Sequence, residues 1–583
     1  MRFWHNPNFL AILALVILSI PALKSLATPG FYTSHDGETH TARTAAYYQA
    51  LTDKQFPPRF AGNFYNGLGS PIFTYIYPIP YLTGSAMHLL GFSFADSFKI
   101  IMVFGYILSA IFAYLWLKEL TDSPKAAFLG ALYYIWAPYR FLLVYVRASL
   151  SEDLAYTFLP LVLFALTKLV KRQNLRWVAI CAIFIALLLL SQNLVALISI
   201  PILGSYLFIL ALLNKSIRYV FLGLVAAIWG MAISSITYLS SLFERDFTHY
   251  NEIFKSTYDT HFVTIKQLIR SPWDYGFDMP GTVNDQMSFQ IGLAHLLILI
   301  FVLIIFTYWF FHRIGLFKKV GDYLFEKSDI TLSIFSIFFL VVFAVSIFLM
   351  IDVKPNVLIW QNFKTIRLID IPWRFLGLTI LAVSFLAAYV AKTIKPAFIF
   401  ILLVFAVLVA NRNHLRINKI QDFDDSFFQT YTGHATQYSE FTPIWRQTIR
   451  IPIDFDPKIR AEVINGEAQI ENLYANSKKI MLEVNVQSEN AQIRINKFYF
   501  PGVQATLNNR KLTPFKDLII TNPKNIHLEK EQDSSGLMLV NLDKGNHQIT
   551  AEFSETHLRL FADYLSLGSL IFAIGFVVKG AKK

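Results

Sequence analysis

At 583 residues with 55% hydrophobic, 16% aromatic and only 15% charged side chains, the chain is too apolar for a soluble protein of several domains. Its net charge of +12 does not point to nucleic acid, because the Lys and Arg residues sit mostly in short loops between apolar runs, where they set membrane orientation. The single cysteine, Cys181, has no partner for an intrachain disulfide and lies inside an apolar run.

Runs of about 20 apolar residues, the length that crosses ~30 Å of hydrocarbon as a helix, recur from Asn8 to Asn411 and once more near the C-terminus. Their helical length excludes a β-barrel and defines a mainly α, polytopic membrane protein. The first run, Asn8 to Ala27, follows Arg2 and ends in the faint signal-peptidase pattern Ser25-Leu26-Ala27; its length reads as an uncleaved anchor. A polar outer loop, 32–70, comes next. Pro71 to Leu90 is broken by Pro71, Pro78 and Pro80. If it crossed, Lys171-Arg172-Arg176 and Lys215-Arg218 would fall outside, so charge makes it a non-crossing juxtamembrane segment.

Spans are then expected over Ser97 to Leu117, Ala126 to Tyr145, Ser151 to Val170, Trp177 to Gln192, Val195 to Leu213 and Tyr219 to Leu239. A second outer loop, 240–288, separates these from Phe289 to Phe311, Ile330 to Ile351, Ile371 to Ala391, Pro396 to Ala410 and finally Phe561 to Val578. That makes about twelve spans in the plasma membrane with both termini cytoplasmic, in agreement with Arg313, Lys318, Lys319, Lys392, Lys395, Lys579, Lys582 and Lys583. Between the transmembrane part, 1–411, and the last helix with its basic tail, 557–583, the composition changes. Residues 412–556 alternate as short strands, for example Ile480 to Val486 and Ala491 to Ile495, with turn residues at Gly466, Asn508-Asn509 and Gly545. Period-two alternation gives one wet and one packed face, so an extracytoplasmic β-sandwich or jelly-roll-like domain is expected.

Four polar clusters converge on the outer face. The first runs from His35 to Arg43 with Asp36, Glu38 and His40; a helix starting near Gly37 would put Asp36, His40 and Arg43 on one side. Asp36 either takes a proton from an acceptor hydroxyl or caps that helix. The second holds Arg140, Arg147, Glu152 and Asp153. Its two guanidinium groups match phosphate oxygens or snorkel to the boundary, while Ser149-x-x-Glu152 reads as a capping box. The third joins Gln192-Asn193 and Glu244 to Trp273 and Tyr275, where aromatic rings suit a sugar face or a membrane belt. The fourth contains Lys364, Arg367, Asp370, Trp373 and Arg374. His35, Asp36, Glu38 and His40 offer ligands for a divalent cation, but without a fixed motif spacing, and no Gly-rich nucleotide loop is present.

The loop His35-Asp36, the turn Gly69-Ser70-Pro71-Ile72-Phe73, Tyr145-Val146-Arg147-Ala148-Ser149 with Glu152, Trp273-Asp274-Tyr275-Gly276 and Pro372-Trp373-Arg374-Phe375 together resemble a bacterial membrane family labelled "6-pyruvoyl-tetrahydropterin synthase-related". The tail motifs Phe498-Tyr499-Phe500-Pro501-Gly502 and Leu542-Asp543-Lys544-Gly545 extend the resemblance over nearly the whole chain. The label is not an activity, since pterin synthases are small soluble zinc enzymes. The arrangement is more similar to the GT-C glycosyltransferases, which take a sugar from a polyprenyl-phosphate donor in the membrane. By that resemblance Asp36 matches the acid of the first outer loop, and Glu152 or Asp153 stands where a second acid is found. The resemblance then implies sugar transfer to a glycan, lipid or protein acceptor, with Asp36 and Glu152 as candidate catalytic residues. At the Gln192-Asn193 turn relatives often carry histidine, a departure that puts proton transfer by Gln192 in question. The rival expectation is a lipid-linked saccharide transporter or a non-catalytic assembly protein of the cell envelope.

Overall fold

A computed structural model describes residues 6–253, 257–281, 284–314, 323–326, 329–436, 438–446, 456–520 and 536–580. Arg2, used above for the anchor, and Lys318, Lys319, Lys582 and Lys583, used for orientation, lie outside the described residues. The chain is a polytopic helical membrane protein with a C-terminal antiparallel sheet. Nine helices among the described residues are long and apolar enough to cross a membrane, or up to 11 if each of two bent pairs is one span.

The bends are where the apolar runs conceal structure. Ala126 to Tyr145 reads as one span, yet helix Pro124–Ile135 meets the segment Pro138–Val146 at 49°, because Pro138 has no N–H to give and restricts Ala137 before it. Tyr219 to Leu239 divides into Arg218–Ile233 and Ser235–Phe243 at 78°; the Ser234 hydroxyl donates to the Gly230 carbonyl at 2.8 Å, an alternative to the helical ladder that bends helices. The juxtamembrane segment forms only the 11-residue helix Ile79–Leu89, about 16 Å long at 1.5 Å per residue, too short to cross. It packs on helix Gly37–Thr52 through Gly84, where a Cβ would meet Thr44 Cγ2 at 2.5 Å.

Helices Pro372–Thr393 and Leu150–Arg172 are the most enclosed candidate spans, with 94% and 83% of their apolar windows buried. At one end of the bundle the basic loops gather: Glu119 accepts from Lys168 at 2.5 Å and lies 3.1 Å from Lys171, and Lys125 donates to the Ile394 carbonyl at 3.3 Å. The opposite end carries the first polar loop and the sheet.

Strand β1 (Phe31–Tyr32) pairs with β2 (Ile420–Gln421), tying the first loop to the segment after the helix Ala397–Asn411. The remaining strands, β3 (Ala461–Asn465), β4 (Ala468–Ala475), β5 (Lys479–Phe498), β6 (Val503–Leu507), β7 (Arg510–Lys511), β8 (Ile519–Ile520) and β9 (Leu537–Phe553), form one hydrogen-bonded antiparallel sheet. The long pair β5 and β9 runs through it, with β3 and β4 against different halves of β5 and with β6 and β8 against different halves of β9. Inward residues are even-numbered over Ile480, Leu482, Val484 and Val486 but odd-numbered over Ala491, Ile493 and Ile495. A register shift between Val486 and Asn490 makes that change of phase, as a bulge does, and both halves feed one apolar cluster.

The sheet docks on the first loop. Phe498 N–H donates to the Leu68 carbonyl at 2.9 Å, and Ser477 takes hydrogen bonds with Asp53 and Gln55, each at 2.8 Å. Under this joint Lys497 is buried over the Phe60 ring at 4.7 Å, donating to the Ser477 and Lys478 carbonyls at 3.2 Å each. Burial pushes its ammonium down to about 7 from 10.5. The folded chain therefore binds fewer protons than the unfolded one between those values, and Lys497 adds a stability that rises with pH across that window and is absent below it. Unfolding followed over a pH series is expected to show this rise, and Lys497→Met is expected to flatten it.

Candidate functional site

The first loop is brought onto the turn before helix Leu150–Arg172 by main-chain bonds. His35 N–H donates to the Val146 carbonyl at 3.0 Å and Asp36 N–H to the Arg147 carbonyl at 2.8 Å. Gly37 allows this approach, since a Cβ there would lie 2.5 Å from Ser34 Oγ and 3.0 Å from Ala148 Cβ. Gly37→Ala is expected to overpack the junction and cost about 1–3 kcal/mol, measured as a lower unfolding midpoint in detergent.

On that junction the side chains form a continuous alternation of charge. Asp36 Oδ2 lies 3.4 Å from Arg147. Arg147 in turn donates to Glu152 Oε2 at 2.5 Å, and the same oxygen accepts from Arg374 at 2.8 Å. Arg374 is held from its other side by Asp370, Nε to Oδ1 at 2.9 Å and Nη2 to Oδ2 at 3.2 Å. The remaining oxygen of Glu152 accepts from the Tyr139 hydroxyl. Arg147 also stacks over Trp373 at 4.9 Å, and Trp373 Nε1 donates to Asp278 Oδ2 at 2.8 Å. His261 lies 2.9 Å from that same Asp278 oxygen.

Exposure divides these groups by what they can do. Glu152 is fully enclosed, with both oxygens engaged, whereas the Asp36 side chain is 35% exposed. Glu152 therefore fixes two guanidinium groups, and Asp36 is the carboxylate that a ligand can reach. Three carboxylates face two guanidiniums along this chain, so an anion needs Arg147 to leave its longest contact, the one to Asp36. Beside it, burial opposes a charge on His261, but the Asp278 carboxylate outweighs that and holds the imidazole above its ordinary range. His35 is instead held below its ordinary range by burial, stacked on Phe277 at 4.3 Å, with Nε2 at 3.2 Å from the Tyr275 carbonyl.

Both capping readings are corrected. The Asp36 side chain makes no cap hydrogen bond to the helix that begins at Gly37, and Ser149 makes none either, so no Ser149-x-x-Glu152 box forms. In each case the acid is drawn to Arg147, a charged donor worth more than a neutral backbone N–H. The helix does start at Gly37, and of the expected face His40 and Arg43 meet at Tyr81 while Asp36 turns to Arg147. The Tyr81 hydroxyl bridges the two, 3.0 Å from His40 Nδ1 and 3.2 Å from Arg43 Nη1, and Arg43 also donates to the Ala435 carbonyl at 2.8 Å. Glu38 remains partly exposed on the same helix, its carboxyl raised by burial.

Other candidate residues are placed elsewhere. Arg140 is enclosed with Asp153 at 3.0 Å, between the rings of Tyr106 and Tyr134, and leaves no face for a phosphate. Gln192 accepts from Val195 N–H at 2.8 Å as a helix cap, and Asn193 lines a small cleft with Tyr75 and Tyr238. Glu244 holds the last helix by Arg559, Nε to Oε2 at 2.7 Å. Trp273 packs on His414 at 4.2 Å, the Tyr275 hydroxyl donates to the Arg416 carbonyl at 2.7 Å, and Arg367 donates to the Trp360 carbonyl at 2.8 Å. His261 and Asp278 were absent from the candidates; they lie in the long 240–288 loop with no periodicity to mark them. Asp370 stands in the fourth cluster, four positions before Arg374. Among the described residues no group of three or more His, Cys, Asp or Glu side chains is placed to hold a metal ion.

No protein-family model matches the chain. Over 236 residues, 39% of the chain, it is 22% identical to an uncharacterized protein of Lactococcus lactis subsp. cremoris (strain MG1363), and the match spans 38% of that protein's length. The likeness brings no activity with it.

Proposed function

We propose that the chain is a membrane glycosyltransferase of the GT-C type, moving a sugar from a polyprenyl-phosphate donor to a glycan, lipid or protein acceptor on the extracytoplasmic face. One observation carries this reading: a reachable carboxylate, Asp36, lies 3.4 Å from Arg147, whose position is fixed from behind by the enclosed Glu152. Asp36 takes the proton of an acceptor hydroxyl while that oxygen bonds to the anomeric carbon. The bond from that carbon to the phosphate oxygen breaks, its electron pair stays on the phosphate, and the configuration inverts. Arg147, released from Asp36 as the carboxylate is protonated, holds the departing phosphate.

The same reading takes the end that gathers Lys125, Lys168 and Lys171 as cytoplasmic. It counts about twelve spans of the plasma membrane, with the 17-residue helix Leu175–Ser191 as one of them, both termini on the cytoplasmic side, and the sheet, folded on itself as a sandwich, outside. Binding of polyprenyl phosphate to the detergent-solubilised protein tests the donor site. Arg147→Gln is expected to weaken it at least tenfold, and unchanged binding would remove Arg147 from the donor site.

A further inference from the structure

Two short helices near the site leave apolar side chains uncovered between bare cations. Ile265–Ile269 and Lys354–Asn362 are both attached to the end of the candidate span Ile330–Met350. Val263 N–H donates to the Met350 carbonyl at 2.9 Å, and Asp352 N–H returns a bond to the Val263 carbonyl at 3.3 Å. The inner face of Lys354–Asn362 is pinned: Asn356 Nδ2 donates to the Ile351 carbonyl at 2.8 Å, Trp360 Nε1 to the Leu349 carbonyl at 3.2 Å, and Trp360 stacks on Tyr258; Ile265–Ile269 buries Leu268.

The outer faces have a different composition. Ile265, Ile269, Leu358 and Phe363 are 58%, 47%, 46% and 63% exposed. Lys266, Arg270, Lys354 and Lys364 stand exposed among them. Asp352 is the one carboxylate in 263–270 and 352–368. Apolar side chains beside cations are unfavourable against water but suited to a headgroup layer, where the stems and rings reach hydrocarbon and the charges meet phosphate. The span from which the two helices hang exposes Ile337, Val341 and Val345 as well, at 56%, 54% and 49%, and the charge of the helices is complementary to an anionic surface.

We propose that these two helices rest in the headgroup layer of the leaflet on the side of the candidate site and gather anionic phospholipids there. The occupant is the bilayer itself, because free phosphate leaves Ile265, Leu358 and Phe363 uncovered. Phe363→Cys carrying an environment-sensitive fluorophore tests this in the full chain, Cys181 being buried. The protein is reconstituted in nanodiscs of zwitterionic lipid with a third of anionic phospholipid. The expected result is blue-shifted emission, closed to aqueous iodide. Quenching by a headgroup-labelled anionic lipid is expected to exceed that by its zwitterionic counterpart at least threefold. High salt and the fourfold variant Lys266→Gln, Arg270→Gln, Lys354→Gln, Lys364→Gln should both abolish this preference. Iodide access, or equal quenching by the two lipids, would overturn the proposal. So would loss of the preference to inorganic phosphate at matched ionic strength, which would indicate a phosphate site in place of a lipid surface.

Discussion

Glu152→Ala is expected to destabilise the protein by about 3–5 kcal/mol, the cost of removing one partner from a buried ion pair. The substitution leaves Arg147 and Arg374 facing each other across the space where one oxygen accepted from both, at 2.5 and 2.8 Å, and it strands the Tyr139 hydroxyl as well. Two like charges this close repel strongly; Arg374 keeps Asp370, and Arg147 keeps only its longer contact to Asp36. The check is thermal unfolding in detergent, with Glu152→Gln alongside. The amide keeps an acceptor for one donor, so an intermediate loss is expected. A melting curve of Glu152→Ala superimposable on wild type would show that the arginines are not held in this way.

Asp36→Asn is expected to behave in the opposite sense, with the fold retained and transfer reduced by about 10²–10⁴-fold, the range contributed by a positioned general base. The Asp36 side chain is 35% exposed, makes one ion pair at 3.4 Å and caps nothing, so its replacement takes little from stability. The amide cannot accept the acceptor's proton. Turnover of each variant, set beside its unfolding midpoint, separates the two carboxylates: loss of stability at Glu152, loss of chemistry at Asp36.

The helical body was legible because crossing a bilayer demands apolar length, and apolar length survives in any sequence. What the runs conceal is where a helix breaks. Pro138 marks its own bend, but the break at Ser234 depends on a hydroxyl-to-carbonyl bond that many serines in straight helices also make. The alternation of the strands was legible too, whereas the change of inward phase between Val486 and Asn490 depends on what β9 offers opposite. At the site, Asp36, Arg147, Glu152 and Arg374 stood out as charges in an apolar chain. Their partners did not, since Asp36 and Arg147 are 111 positions apart, and Glu152 and Arg374 are 222 apart. Local readings therefore leave Asp36 open between a base and a cap, read Ser149 as a cap and group His40 with Asp36. Arg147 draws Asp36 away, and Tyr81, reaching in from the juxtamembrane helix, joins His40 to Arg43. Glu244 and Arg140 looked equally functional as sequence, and each is taken up by a buried ion pair, with Arg559 and with Asp153.

The reaction itself is the central claim, and transfer measured in liposomes from a panel of radiolabelled polyprenyl-phosphate sugars tests it most directly. Wild type is expected to turn over at least one donor, with Asp36→Asn and Arg147→Ala both inactive while remaining folded. Donor binding without turnover by wild type across the panel, or full turnover by Asp36→Asn, would contradict the account.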